Sequence, residues 1–182
     1  MKKFKQFKSS VQETDFLPFK KTGPNSKIDD YLIIGFDTEY VSKSINDGDF
    51  ENELLSYQWC CQVISSDGTK SAEWSGLVLP NGPKVSDRLK IQEFVELAIS
   101  EGLKKDKKLK IPRDIYLVAH FTRSDIPGFQ DFKGDDGKEI LNLSNIRNTF
   151  LSMRKDVGIK LNDDIEVRLK IRDTITLTSA NS

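Results

Sequence analysis

The chain is poor in the residues that build zinc sites and disulfides: its 182 residues include two cysteines and one histidine. Cys60 and Cys61 are sequence neighbours, and on an extended strand they would face opposite sides, which makes them a poor disulfide pair. One histidine leaves no Cys/His zinc site. This cysteine usage leads us to expect a reducing, cytoplasmic or nucleoid-associated setting. No apolar run approaches the roughly 20 residues that a membrane helix needs, so no membrane partner is expected. The basic start, Met1-Lys2-Lys3-Phe4-Lys5, leads into no apolar signal segment. Charge of one sign is also lacking, since 28 basic and 28 acidic residues balance. There is then no global field to draw in nucleic acid, and any such attraction must come from local patches.

The length suits one domain, with or without an arm, and allows a substantial core. Residues 1–30 lack a sustained period and end in Lys20-Lys21-Thr22-Gly23-Pro24-Asn25-Ser26, which reads as an arm or loop. A domain is expected over residues 31–182. Its first strand runs from about Tyr31 to Thr38, followed by a polar loop from Ser42 to Glu53 around Asp47-Gly48-Asp49. A hairpin follows, with strands Leu55 to Ser65 and Ser71 to Leu79 about a turn at Ser66-Asp67-Gly68-Thr69. Ser86 is positioned to cap a helix from about Asp87 to Lys104, with Leu89, Ile91, Phe94, Val95 and Ala98 along its buried side. Ile115 to Ala119 is another apolar strand, and a short helix is expected to start at Asp125. Further strands are expected between Leu141 and Thr178, with Leu143 to Met153 ambiguous between helix and strand. This order suits a mixed α/β sheet with flanking helices and a parallel pair joined by the long helix, compatible with a ribonuclease-H-like fold.

The candidate chemistry begins at Tyr31-Leu-Ile-Ile-Gly-Phe-Asp-Thr-Glu-Tyr40, an apolar strand that delivers Asp37 and Glu39 at its end. Residues i and i+2 of a strand share a face. Two carboxylates held side by side repel, and a divalent cation with hard oxygen ligands relieves that repulsion. A strand edge with two solvated acids is the plainer alternative. Asp125 lies just beyond the second apolar strand and would join the pair if the two strands are adjacent. It could equally complement a helix N-terminus and do nothing more.

Phe36-Asp37-Thr38-Glu39 resembles the first motif of the DEDD 3′–5′ exonucleases, and Leu117-Val118-Ala119-His120-Phe121-Thr122-Arg123-Ser124-Asp125 resembles the second. Leu55-Ser56-Tyr57-Gln58 and Arg172-Asp173-Thr174 resemble further stretches of the proofreading domain of family-B DNA polymerases of the organellar, plasmid and protein-primed viral type. The resemblance covers residues 31–178, in order. It implies a metal-dependent exonuclease that releases nucleoside monophosphates from single-stranded DNA 3′ ends. Asp37, Glu39 and Asp125 would be catalytic and would hold two Mg²⁺ or Mn²⁺ ions, about 3.5–4 Å apart in such centres. Thr38, Tyr40, Phe121 and Arg123 would meet the nucleic acid, and polymerase modules of the same longer chain would be partners.

The departures from the pattern are specific. Phe121 stands where the family carries Asn, Ser124 where it carries Phe, and Tyr40 where protein-primed relatives carry Thr. No tyrosine follows Tyr116, so the Tyr-x-x-x-Asp motif that supplies the fourth carboxylate is missing. We expect a domain truncated before its third motif and inactive as it stands. The competing reading is a catalytically degenerate nucleic-acid-binding scaffold with the same fold. A third is an unrelated α/β module, which would leave Asp37 and Asp125 far apart. His120 reads as a strand-end histidine, Trp59 and Trp74 as core, Asp173 as structural, and Lys104 to Lys110 as a solvated basic linker. Basic residues 2–8 would offer a contact to template or to a terminal protein.

Overall fold

The structure, a computed structural model, describes residues 29–46, 48–132, 143–146, 150–153, 156–161 and 165–175. The expected arm, apart from Asp29 and Asp30, and the residues after Ile175 lie outside these. Ten elements follow one another: β1 (Tyr31–Asn46), β2 (Asp49–Ile64), β3 (Lys70–Val78), α1 (Ile91–Lys105), β4 (Asp114–Ala119), α2 (Thr122–Asp125), β5 (Leu143–Ile146), β6 (Phe150–Met153), β7 (Val157–Leu161) and β8 (Ile165–Asp173). Six strands form one mixed sheet in the order β3-β2-β1-β4-β8-β7, while β5 and β6 pair by themselves. The segment that was ambiguous between helix and strand is therefore an antiparallel strand pair.

The sheet's centre is parallel: β1 pairs with β4, and β4 with β8. β2, β3 and β7 are antiparallel to their neighbours. The crossover from β3 to β4 runs through α1, as the order of elements implied. Leu32, Ile34 and Phe36 of β1, Ile115 and Leu117 of β4, and Val167, Leu169 and Ile171 of β8 alternate onto one buried face. That period of two is the sequence signature of these strands. Against this face α1 sets Ile91, Phe94, Val95, Ala98, Ile99 and Gly102, the spacing of one helical stripe. Phe94 lies within 6.0 Å of the rings of Phe36, Tyr57, Trp59 and Phe129, measured between centroids. Trp59 and Trp74 belong to this core. Cys61 is buried and Cys60 exposed, the opposed orientation expected of neighbours on a strand.

Three local expectations are corrected. The polar stretch Ser42 to Glu53 is no loop, because β1 and β2 remain paired out to Asn46 and Asp49. Polar residues hold that ladder from the side: Ser42 Oγ donates to Asn52 at 2.7 Å, and Lys43 pairs with Glu53. Ser86 does not cap the long helix, since Val85–Asp87 form one separate 3-10 turn and α1 starts at Ile91. The free backbone donors at its start are met by carboxylates: Glu93 accepts from Lys90 N–H at 2.8 Å and Asp131 from Ile91 N–H at 2.9 Å. Asp125 does not start a helix but ends one, the four-residue α2, followed by a 3-10 turn over Ile126–Gly128.

Candidate functional site

Asp37 and Glu39 lie where β1 passes the end of its parallel partner. Both are exposed, opposite Gln58 and Ser56 of β2. They share one face of the sheet; Thr38 between them turns to the other and is buried. A register shift between Glu39 and Tyr40 leaves Leu55 as the extra residue of the bulge. The extra residue bends β2, while Tyr40 keeps the period of two on β1 and packs on the core side, opposite Leu54.

Asp125 comes to the same place from β4 by way of α2. Its Oδ1 accepts the Thr38 backbone N–H at 3.1 Å and the Thr38 hydroxyl at 2.5 Å. The carboxyl is buried, and its pKa is raised, first by that burial and then by the charges of Asp37 and Asp173; the Thr38 bonds act in the opposite direction. The two acidic motifs, 87 residues apart in sequence, are thus hydrogen-bonded to each other. The unrelated-module reading expects Asp37 and Asp125 to lie far apart, and this contact beside Asp37 runs against it.

The segment carrying Asp125 is pinned from three sides. Asp173, at the end of β8, accepts from Phe121 N–H at 2.9 Å, from Thr122 N–H and Oγ1–H at 2.8 Å each, and from Ile175 N–H at 3.0 Å. A buried carboxylate with four donors is well satisfied, which agrees with the structural role read for it. The Tyr57 hydroxyl donates to the Gly128 carbonyl at 2.7 Å and accepts Leu89 N–H at 3.0 Å. Burial pushes the Tyr57 phenol up, so it stays a donor across the physiological range. Arg88 reaches the Pro127 carbonyl with Nη1 and the Asn52 carbonyl with Nη2, both at 3.1 Å. Arg88 gave no signal in the sequence; a lone arginine between a turn and a helix has no pattern to mark it.

The residues expected to meet nucleic acid are distributed unevenly. Phe121 and Arg123 are exposed, Tyr40 is half-buried, and Thr38 is committed to Asp125. The Tyr40 hydroxyl donates to the Ser124 carbonyl over 3.4 Å. Burial raises its pKa. His120 Nδ1 lies 3.1 Å from the Thr174 hydroxyl, a strand-end contact as read from the sequence.

A two-metal centre needs several carboxylates around one point. Among the described residues no three His, Cys, Asp or Glu side chains are grouped to hold a metal ion. Asp37 and Glu39 leave one face of β1, while Asp125 meets Thr38, whose side chain turns to the other. As folded, these three are not grouped around one point.

Among curated proteins, the chain is similar to the Primer-independent DNA polymerase PolB of Escherichia coli, 35% identical over 139 residues. The match takes in 76% of this chain and 15% of that polymerase, so the chain spans a small part of the relative's length. No family model matches the chain, and no solved structure matches it. The similarity supports a DNA-polymerase-related domain.

Proposed function

We propose that this chain is a 3′–5′ exonuclease-type domain of a family-B-like DNA polymerase, with a ribonuclease-H-like fold, and that it engages a single-stranded 3′ end. The observation that carries this reading is the hydrogen bonding of Asp125 to Thr38. It joins the acidic motif of β1 to the acidic motif after β4 at the end of a parallel strand pair. In open sheets, ligands bind beyond the carboxyl ends of parallel strands. The similarity to a polymerase segment points to the same substrate class.

In this reading the exposed Phe121 and Arg123 contact the nucleic acid, the arginine through phosphate. Tyr40 shapes the rim beside Ser124. Asp37 and Glu39 repel the phosphate backbone unless their charge is neutralised, so the chain by itself holds a 3′ end weakly and does not cleave it. A second reading, a non-catalytic scaffold of the same fold, is favoured by one observation: Asp125 is buried and its Oδ1 is bonded to Thr38.

The test is a 3′-labelled single-stranded oligonucleotide incubated with the chain and millimolar Mg²⁺ or Mn²⁺. We expect binding that requires a free single-stranded 3′ end, with no release of nucleoside monophosphate. Absence of binding would overturn the proposal. Monophosphate release that is lost in Asp37→Ala would show that the three carboxylates regroup around metal and would remove the scaffold reading. Titration of Mn²⁺ by calorimetry separates the two further, because a scaffold has no need to bind the ion.

A further inference from the structure

Phe121 is the one non-glycine residue with a positive φ among the described residues. Its backbone sits at φ 62° and ψ 55°, the left-handed region. Glycine adopts that region freely and asparagine often; a bulky aromatic does so only when its surroundings impose it. Here the imposing contacts are explicit. Asp173 Oδ1 accepts the Phe121 N–H, and the Phe121 carbonyl accepts Ser124 N–H at 2.9 Å. Asp173 also takes both donors of Thr122. The chain turns from β4 into α2 at this one residue.

The ring stays only partly covered in return. Phe121 is 36% exposed and stands outside the buried cluster that holds Phe36, Phe94 and Phe129. A phenyl left over a third exposed repays little of the strain in its backbone, and strain of this kind gathers where a site uses it. Its neighbours suit a nucleic acid: Arg123 is exposed two residues on, and the exposed His120 ring precedes it.

We infer that Phe121 is a stacking platform for a nucleobase of the bound single strand, presented by the left-handed turn that Asp173 holds. This rests on the proposed engagement of a 3′ end and names how the end is gripped. Stacking uses the π-face that every base has, so the grip tolerates any sequence.

The experiment uses oligothymidylate ending in 2-aminopurine, whose fluorescence is quenched on stacking, and measures anisotropy and quenching together. Phe121→Gly keeps the left-handed turn without strain and removes the ring, so it should bind about 5- to 150-fold more weakly. Phe121→Trp should bind within about two-fold of the parent and keep the quenching. Phe121→Gly that binds as tightly as the parent overturns the inference. So does a parent that binds the oligonucleotide without quenching, which leaves the proposed 3′-end engagement standing. A parent that does not bind at all overturns both. Should Phe121→Gly melt lower, Phe121→Trp decides: retained quenching supports the platform, and lost quenching overturns it.

Discussion

Replacing Thr38 by valine keeps the shape and the strand preference of the side chain and removes one hydroxyl. That hydroxyl donates to Asp125 Oδ1 at 2.5 Å, and the only other Thr38 donor to it is the backbone N–H at 3.1 Å. A hydrogen bond to a charged group contributes about 1.5–3 kcal/mol, a neutral one about 0.5–1.5 kcal/mol. The added methyl, in a site where Thr38 is 7% exposed, returns at most about 0.8 kcal/mol. The net loss is then about 1–2 kcal/mol where Asp125 is ionised, or about 2–8 °C in Tm for a chain of this length. Where Asp125 is protonated the loss should approach zero.

The sign of the pH dependence follows from the raised pKa of Asp125, caused first by burial and then by Asp37 and Asp173. As pH rises from the unfolded carboxyl value, the native state keeps its proton longer than the unfolded state does. The Asp125 contribution to stability therefore falls as pH rises through its folded pKa. The Thr38 hydroxyl lowers that pKa, so the valine variant moves it further up and deepens the fall. Thermal melts of the parent and Thr38→Val between about pH 4 and pH 8 check this. Asp125→Asn, which keeps an acceptor for both Thr38 donors and has no charge, should flatten the fall. A loss for Thr38→Val that does not grow as pH rises would refute the reasoning.

Two further substitutions test the frame around the site. Tyr57→Phe removes the hydroxyl that joins Gly128 O to Leu89 N; leaving the two groups unpaired should cost about 1–3 kcal/mol in urea unfolding, and unchanged stability would show that the bridge is dispensable. Gly102→Ala would normally favour a helix, but its Cβ would stand 2.6 Å from Trp74 Cε2 and 2.9 Å from Leu109 Cδ2. Trp74 is itself tied to the Ala98 carbonyl at 2.6 Å, so overpacking should win and destabilise by about 1–3 kcal/mol. A variant as stable as the parent would show that the tryptophan yields freely.

Much of the frame could be read along the chain because its signals are local. Leu32, Ile34 and Phe36 alternate, Phe94, Val95 and Ala98 recur at helical spacing, and both patterns survive unchanged in the structure. The pairing of Asp37 with Glu39 on one face follows from a period of two. The extension of β1 and β2 past Ser42 was not legible, because its residues are polar and their pairing is visible only when both strands are present. Ser86 misled for a related reason: the donors of α1 found Glu93 and Asp131 instead, the latter 40 residues beyond Ile91.

By itself, then, the sequence determined the apolar halves of the central strands and the buried stripe of the long helix, since burial of alternating or helically spaced side chains depends on near neighbours alone. It also carried the two acidic motifs and their order. The tertiary structure alone decided what those acids do. Asp125 turns to Thr38, Asp173 closes on the start of α2, and Phe121 is forced into a left-handed turn, through hydrogen bonds spanning 51 to 87 residues of chain. A carboxylate's direction is set by the donors that surround it, and here those donors come from strands that meet only when the sheet closes.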